Sequence, residues 1–181
     1  AVKEAIASLS PIRGPFPYLP MEGAKAYREA AQKLHFGKTN TAVGESRIAT
    51  VQTLGGSGAL KVGADFLHTH LGRREVWVSD PTWDNHKAIF EGAGFPVRTY
   101  RYYDPVTKGV DFAGLLNDFL KIPSGSIVVL HACCHNPTGA DLGPEQWREA
   151  IDTLVRRGLI PFVDMAYQGF GSGIEEDAYP I

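Results

Sequence analysis

Short apolar runs of strand length recur along this chain, and segments of helical period separate them. The runs are "RIATVQTL", "EVWVSD", "FPVRTYRY", "SIVVLHA" and "LIPFVDM". Between them lie "GALKVGADFLHTHL", "DNHKAIFEGAG", "DFAGLLNDFL" and "PEQWREAIDTLVRRG". Strands alternating with helices build βαβ units, so the pattern predicts an α/β fold, a mainly parallel sheet with helices on both faces. The last of these helices starts with Pro144 in its first turn and ends on Gly158, the expected asymmetry of helix termini. Upstream, "EGAKAYREAAQKL" carries Ala24, Tyr27, Ala31 and Leu34 at three- and four-residue spacing, which gives that helix one apolar face.

At 181 residues the chain reads as a single domain, with an irregular Pro-rich lead-in loop over residues 1–20. A formal net charge of −2 gives no footprint for nucleic acid and no attraction to anionic lipid. No apolar run is long enough to cross a bilayer, and the start lacks the regions of a signal peptide, so the expected setting is soluble and cytoplasmic. The two cysteines, Cys133 and Cys134, are neighbours in sequence. Pairing them would be strained, which fits a reducing compartment. No second ligand cluster supports a metal, and both read as small buried filler.

In an open parallel sheet, ligands bind beyond the carboxyl ends of the strands. The first such end is read at "TLGGSGALK", where a strand is expected to stop in a glycine-rich turn and a helix to begin at about Gly58. Such a turn either cradles a phosphate through backbone N–H groups, with the Ser57 hydroxyl added, or serves only tight packing. At "SDPTWDNH", Trp83 is either loop packing or a flat surface for an aromatic ligand. At "HACCHNPTG", Asn136 can donate and accept hydrogen bonds. At "FVDMAYQGF", Asp164 ends an apolar strand and Tyr167 follows three residues on. A carboxylate there needs a partner, because burying it unpaired is costly. Phosphate cradle, flat wall and carboxylate together match a ligand with a phosphate and a basic aromatic ring, and a carboxylate beside a pyridine nitrogen would keep it protonated.

The motifs "YLPMEG", "GGSGALK", "DPTWDNHK", "YYD", "HACCHNPTG" and "DMAYQGF" occur in an order that resembles the aspartate and aromatic aminotransferases of the fold-type I pyridoxal-phosphate superfamily. The resemblance runs along almost the whole chain, and the 28 positions from Asn136 to Asp164 agree with it. It implies the large, cofactor-binding domain of such an enzyme, with pyridoxal phosphate as cofactor and an amino acid and a 2-oxo acid as substrates. By the same resemblance Gly56 and Ser57 would bind the phosphate, Trp83 would stack on the pyridine ring, and Asp164 would pair with its nitrogen. Asn136 and Tyr167 would hydrogen-bond the phenolic oxygen, and Asn136 would also reach the substrate's α-carboxylate. His86 and His131 would orient Asp164 and support the ring. Tyr18 matches a tyrosine that reaches the phosphate of a partner subunit, which implies a homodimer.

The family's chemistry also needs a lysine that forms a Schiff base with the cofactor and arginines that clamp the substrate. None of the eight lysines or ten arginines fits those contexts. Lys61 and Lys87 read as peripheral. The resemblance places the missing groups beyond Ile181, so the chain is expected to be partial and inactive alone. The rival reading is an NAD-type dinucleotide-binding domain, with Asp80 lying 22 positions past Gly58, about where a ribose-binding acid belongs. The glycines do not follow GxGxxG, however, and that reading gives Trp83, Asn136 and Asp164 no common role.

Overall fold

The computed structural model describes residues 2–4, 18–72 and 74–181, so most of the expected lead-in loop lies outside the described residues. The helices are α1 (Lys25–Phe36), α2 (Thr41–Gly44), α3 (Gly55–Leu71), α4 (Asp84–Gly92), α5 (Phe112–Phe119) and α6 (Pro144–Arg157). The strands are β1 (Val76–Asp80), β2 (Val97–Arg101), β3 (Tyr103–Asp104), β4 (Gly109–Val110), β5 (Ile127–His131) and β6 (Ile160–Asp164). Four strands form one sheet in the order β2-β1-β5-β6, and every pair in it is parallel. β3 and β4 form a separate antiparallel hairpin.

Side chains of a strand alternate between faces, and β5 shows the consequence. Ile127 and Val129 join Ala64, Val76, Val78, Phe90 and Phe95 in a core layer beneath α3 and α4. Val128 and Leu130 join Tyr100, Leu115, Phe119, Trp147, Ala150 and Leu154 in a second layer beneath α5 and α6. Helices therefore cover both faces, as expected. Each fully buried Phe or Leu adds roughly 1.5–3 kcal/mol of apolar burial, so two filled layers are the main favourable term holding the sheet.

Local chemistry sets the helix ends. Asp111 caps α5 by accepting from the Gly114 N–H at 2.9 Å. Gln146 reaches back from the first turn of α6 to the Gly143 N–H at 2.9 Å. Gly158 closes that helix at φ 63°, a left-handed conformation that suits glycine. Among the described residues no helix is long and apolar enough to cross a membrane.

Two expectations need correction. "RIATVQTL" forms no strand. Its polar groups are taken instead by side chains near α1: Gln32 donates to the Ile48 carbonyl at 3.1 Å and to Thr50 Oγ1 at 2.7 Å, and the Gln52 N–H bonds the Glu22 carbonyl at 2.9 Å. The helix that follows begins at Gly55, three residues before the expected Gly58. On α1 no residue is fully buried, and Tyr27 and Leu34 of its apolar face are 56% and 49% exposed.

The loop after β5 is tied to β1 by His135. Its Nε2 lies 2.9 Å from Ser79 Oγ and its Nδ1 2.8 Å from Thr138 Oγ1, and its ring stacks on Tyr102 at 3.9 Å. Burial, followed by the neighbouring His131, pushes its pKa down to about 3. An unfolded histidine titrates near 6.5, so below that pH the unfolded chain takes up a proton that the folded chain refuses until about pH 3. Stability should therefore fall as pH drops through this window and be unaffected by this group above it. In urea titrations of the full-length apoprotein between pH 7 and 4, His135→Gln should flatten that slope by at most about 1.4 kcal/mol per pH unit. An unchanged slope would mean that the ring is already protonated in the fold.

Candidate active site

Register decides where the functional side chains emerge. β5 and β6 pair in parallel with His131 opposite Asp164 at their carboxyl ends. Both continue the face of Ile127, Val129, Ile160 and Phe162, the face covered by α3 and α4. The N-terminal ends of α3 and α4 and the loops after β5 and β6 supply the remaining walls. Together they leave a cavity of about 240 Å³ lined by Gly56, Ser57, Leu60, Trp83, His131, Cys133, Asn136, Asp164, Ala166 and Tyr167.

Behind Asp164 runs a line of hydrogen bonds. His86, on α4 and wholly buried, places Nε2 2.8 Å from Asp164 Oδ2. Its Nδ1 lies 2.8 Å from Thr82 Oγ1, which in turn lies 3.2 Å from His131 Nε2. The Asn136 N–H meets His131 Nδ1 at 3.4 Å. Burial, with a smaller contribution from His86, lowers the His131 pKa to about 4, so this ring is neutral at pH 7. Its Nδ1 accepts from Asn136, which assigns its one proton to Nε2 and to Thr82. The threonine hydroxyl then gives its proton to His86 Nδ1, and the Nε2 proton of His86 goes to Asp164. Among the described residues no group donates to Asp164 Oδ1.

Opposite in chemistry is the N-terminus of α3. Its first turn carries no side-chain cap and no acidic residue; the Gly55 N–H bonds the Thr53 carbonyl at 3.1 Å, while the Gly56 and Ser57 N–H groups have no partner among the described residues. A Cβ built on Gly56 would meet nothing within 4 Å. Ser57, Asn136 and Tyr167 face the cavity, and among the described residues their side-chain polar atoms have no partner in the chain. Trp83 stands edge-on to His86, ring centroids 5.6 Å apart.

Of the residues singled out in the sequence, Gly56, Ser57, Trp83, His131, Asn136, Asp164 and Tyr167 all line this cavity. His86 sits one bond behind it. Tyr18 is fully exposed and does not line it. Lys61 pairs with Asp65 on the outer side of α3, as a peripheral residue should. Sequence reasoning missed Thr82, although its four-residue spacing from His86 was a usable signal. It also missed Asp141, which accepts from the Cys134 and His135 N–H groups at 2.7 and 2.8 Å and so shapes the loop that carries Asn136. Cys133 is buried as expected but forms part of the cavity wall; burial first, then Asp177, pushes its thiol up to about 12. The dinucleotide reading loses its basis, because no strand leads into the glycine turn.

Comparison with known proteins agrees with this geometry. The family model for class I and II aminotransferases matches residues 1–181. The tyrosine aminotransferase of Klebsiella pneumoniae is 58% identical, aligned over 100% of this chain and 46% of its own length. The aspartate aminotransferase of Pseudomonas aeruginosa is 53% identical over the same shares of the two chains, 100% and 46%. The crystal structure of the aromatic-amino-acid aminotransferase from Burkholderia pseudomallei, covalently bound to pyridoxal phosphate, superposes with a TM-score of 0.95 at 47% identity, covering 99% of this chain and 45% of that one. The chain thus spans a little under half the length of these relatives. With the family matched along all 181 residues and the fold-type I architecture shared, this chain belongs to the class I and II aminotransferases.

Proposed function

We propose that residues 1–181 form the cofactor-binding domain of a pyridoxal-phosphate-dependent aminotransferase. The full enzyme moves an amino group between an amino acid, aspartate or aromatic, and a 2-oxo acid such as 2-oxoglutarate. The observation that carries this reading is Asp164, a carboxylate at a strand end with one oxygen held by His86 and the cavity beside it.

The donor set fits the cofactor. A phosphate needs N–H donors and a positive local potential, and the uncapped first turn of α3 offers both at Gly56 and Ser57, with the Ser57 hydroxyl added. A pyridine ring needs a flat apolar wall and an anion at its nitrogen, which Trp83 and Asp164 supply. A phenolic oxygen needs donors, and the Asn136 amide and Tyr167 hydroxyl are unpartnered. When bound, pyridoxal phosphate supplies an electron sink for charge that develops at the substrate's α-carbon.

In this reading Asp164 keeps the ring nitrogen protonated, and His86 fixes the carboxylate through a hydrogen bond worth roughly 1.5–3 kcal/mol. His131 and Thr82 hold His86 in the tautomer that donates to Asp164. Asn136 and Tyr167 hold the phenolic oxygen as an anion, and Asn136 also touches the substrate's α-carboxylate. Tyr18 reaches the phosphate of a partner subunit in a homodimer. Supporting the dimer are the exposed Tyr18, Leu19, Met21 and Leu54, with Tyr27 and Leu34 on α1. The two free cysteines fit a reducing, cytoplasmic setting.

In the full-length enzyme, Asp164→Ala should lower kcat by at least about a hundredfold with cofactor still bound and circular dichroism unchanged; near-normal turnover would sink the assignment. Gly56→Val should weaken cofactor affinity by at least about tenfold while leaving the urea midpoint of the apoprotein in place, because the added methyls enter open space rather than the core. Unchanged affinity would make the turn purely structural. Sedimentation equilibrium of the full-length enzyme should give a dimer, and a fully active monomer would remove the role given to Tyr18.

A further inference from the structure

Tyr167 is 43% exposed, and among the described residues its hydroxyl makes no hydrogen bond within the chain. Nothing in its own side chain therefore fixes where the phenol points. Its backbone is fixed instead. Residues 167–170 form a tight turn closed by the Phe170 N–H on the Tyr167 carbonyl at 3.0 Å. Gln168 anchors one side of the turn, donating to the Ile174 carbonyl at 2.8 Å and the Leu34 carbonyl at 3.2 Å, with its Oε1 2.8 Å from His35 Nδ1.

The other side is gathered onto one carboxylate. Asp177 is buried, and it accepts from the N–H groups of Gly169 at 2.8 Å, Gly171 at 2.9 Å and Ser172 at 2.8 Å. These bonds hold its pKa below the usual carboxylate range. Backbone conformation and this contact account for two of the glycines around it. Gly169 has φ +93°, and a Cβ on Gly171 would come within 2.7 Å of Asp177 Oδ1. Asp177 is itself seated by its own N–H on the Gly173 carbonyl at 2.9 Å. The spacing "GFGSGIEED" is thus a loop wound around a single anion.

We infer that Asp177 is the positioning residue for Tyr167: by collecting three backbone N–H groups it sets the turn, and the turn aims the phenol into the cavity. This rests on the reading above, in which Tyr167 donates to the cofactor's phenolic oxygen. The carboxylate is engaged by backbone donors and does not itself line the cavity with Tyr167.

The test uses the full-length holoenzyme and two readouts that do not depend on turnover. Hydrogen exchange at the amides of Gly169, Gly171 and Ser172 should quicken by at least about tenfold in Asp177→Asn. The pH midpoint of the bound cofactor's absorbance change should rise by about one unit in Tyr167→Phe, through loss of the donor to the phenolic oxygen, and rise similarly in Asp177→Asn. In the double variant Asp177→Asn should add nothing further, because both changes remove one hydrogen bond. Asp177→Glu, which keeps the charge but lengthens the side chain, should give a smaller rise and serves if the Asn variant does not fold. An unmoved midpoint in the Asp177 variants beside a shifted Tyr167→Phe overturns the inference alone. Additive shifts also overturn it. An unmoved midpoint in Tyr167→Phe overturns the underlying role of Tyr167 together with the inference.

Discussion

Strand β5 is buried on both faces, and the rest of the molecule is arranged by that constraint. Its four apolar residues Ile127 to Leu130 are inaccessible to solvent, two serving each core layer. A strand so placed must have sheet neighbours on both edges and helices above and below, or its backbone and side chains would be left unsatisfied. Chain polarity then does the rest. Once β1, β5 and β6 run in parallel, their carboxyl ends share one rim, and residues far apart in sequence come together without any contact having been specified between them.

The site draws on both rigid and looped parts. Asp164 and His131 end strands and inherit the sheet's precision, and His86 is held within the α3/α4 side of the core. Asn136 and Tyr167 sit on loops, where backbone groups must be satisfied by local means. Two aspartates do this work, Asp141 in one loop and Asp177 in the other, each taking N–H groups that no ladder supplies.

Much of this was legible in the sequence because it depends on short-range pattern. "SIVVLHA" announces a two-faced strand, and the segment from Pro144 to Gly158 carries its own start and stop signals. The strand-end position of Asp164 follows from parallel topology. "RIATVQTL" misled because apolar alternation identifies a strand only if a neighbour exists to pair with it, and here the Gln32 side chain and the Glu22 carbonyl engage its polar groups instead. The β3–β4 hairpin is too short to show a period. Asp141 and Asp177 were invisible for another reason. Their roles are hydrogen bonds to specific partners, and a hydrophobicity pattern carries no record of those.

The hydrogen-bonded line from Asn136 to Asp164 has fixed ends. At one end the donor is a peptide nitrogen, which has no lone pair to offer. At the other end the Asp164 Oδ2 accepts from His86 Nε2. Reversing any link between them would set His131 Nδ1–H against the Asn136 N–H and leave His86 Nε2 facing Asp164 lone pair to lone pair. The two histidines and the threonine therefore cannot flip singly, and a collective flip is blocked at both termini. The line works as a diode for orientation: the direction in which Asp164 is held is set by a main-chain group 28 positions earlier, one that no side-chain substitution can turn around.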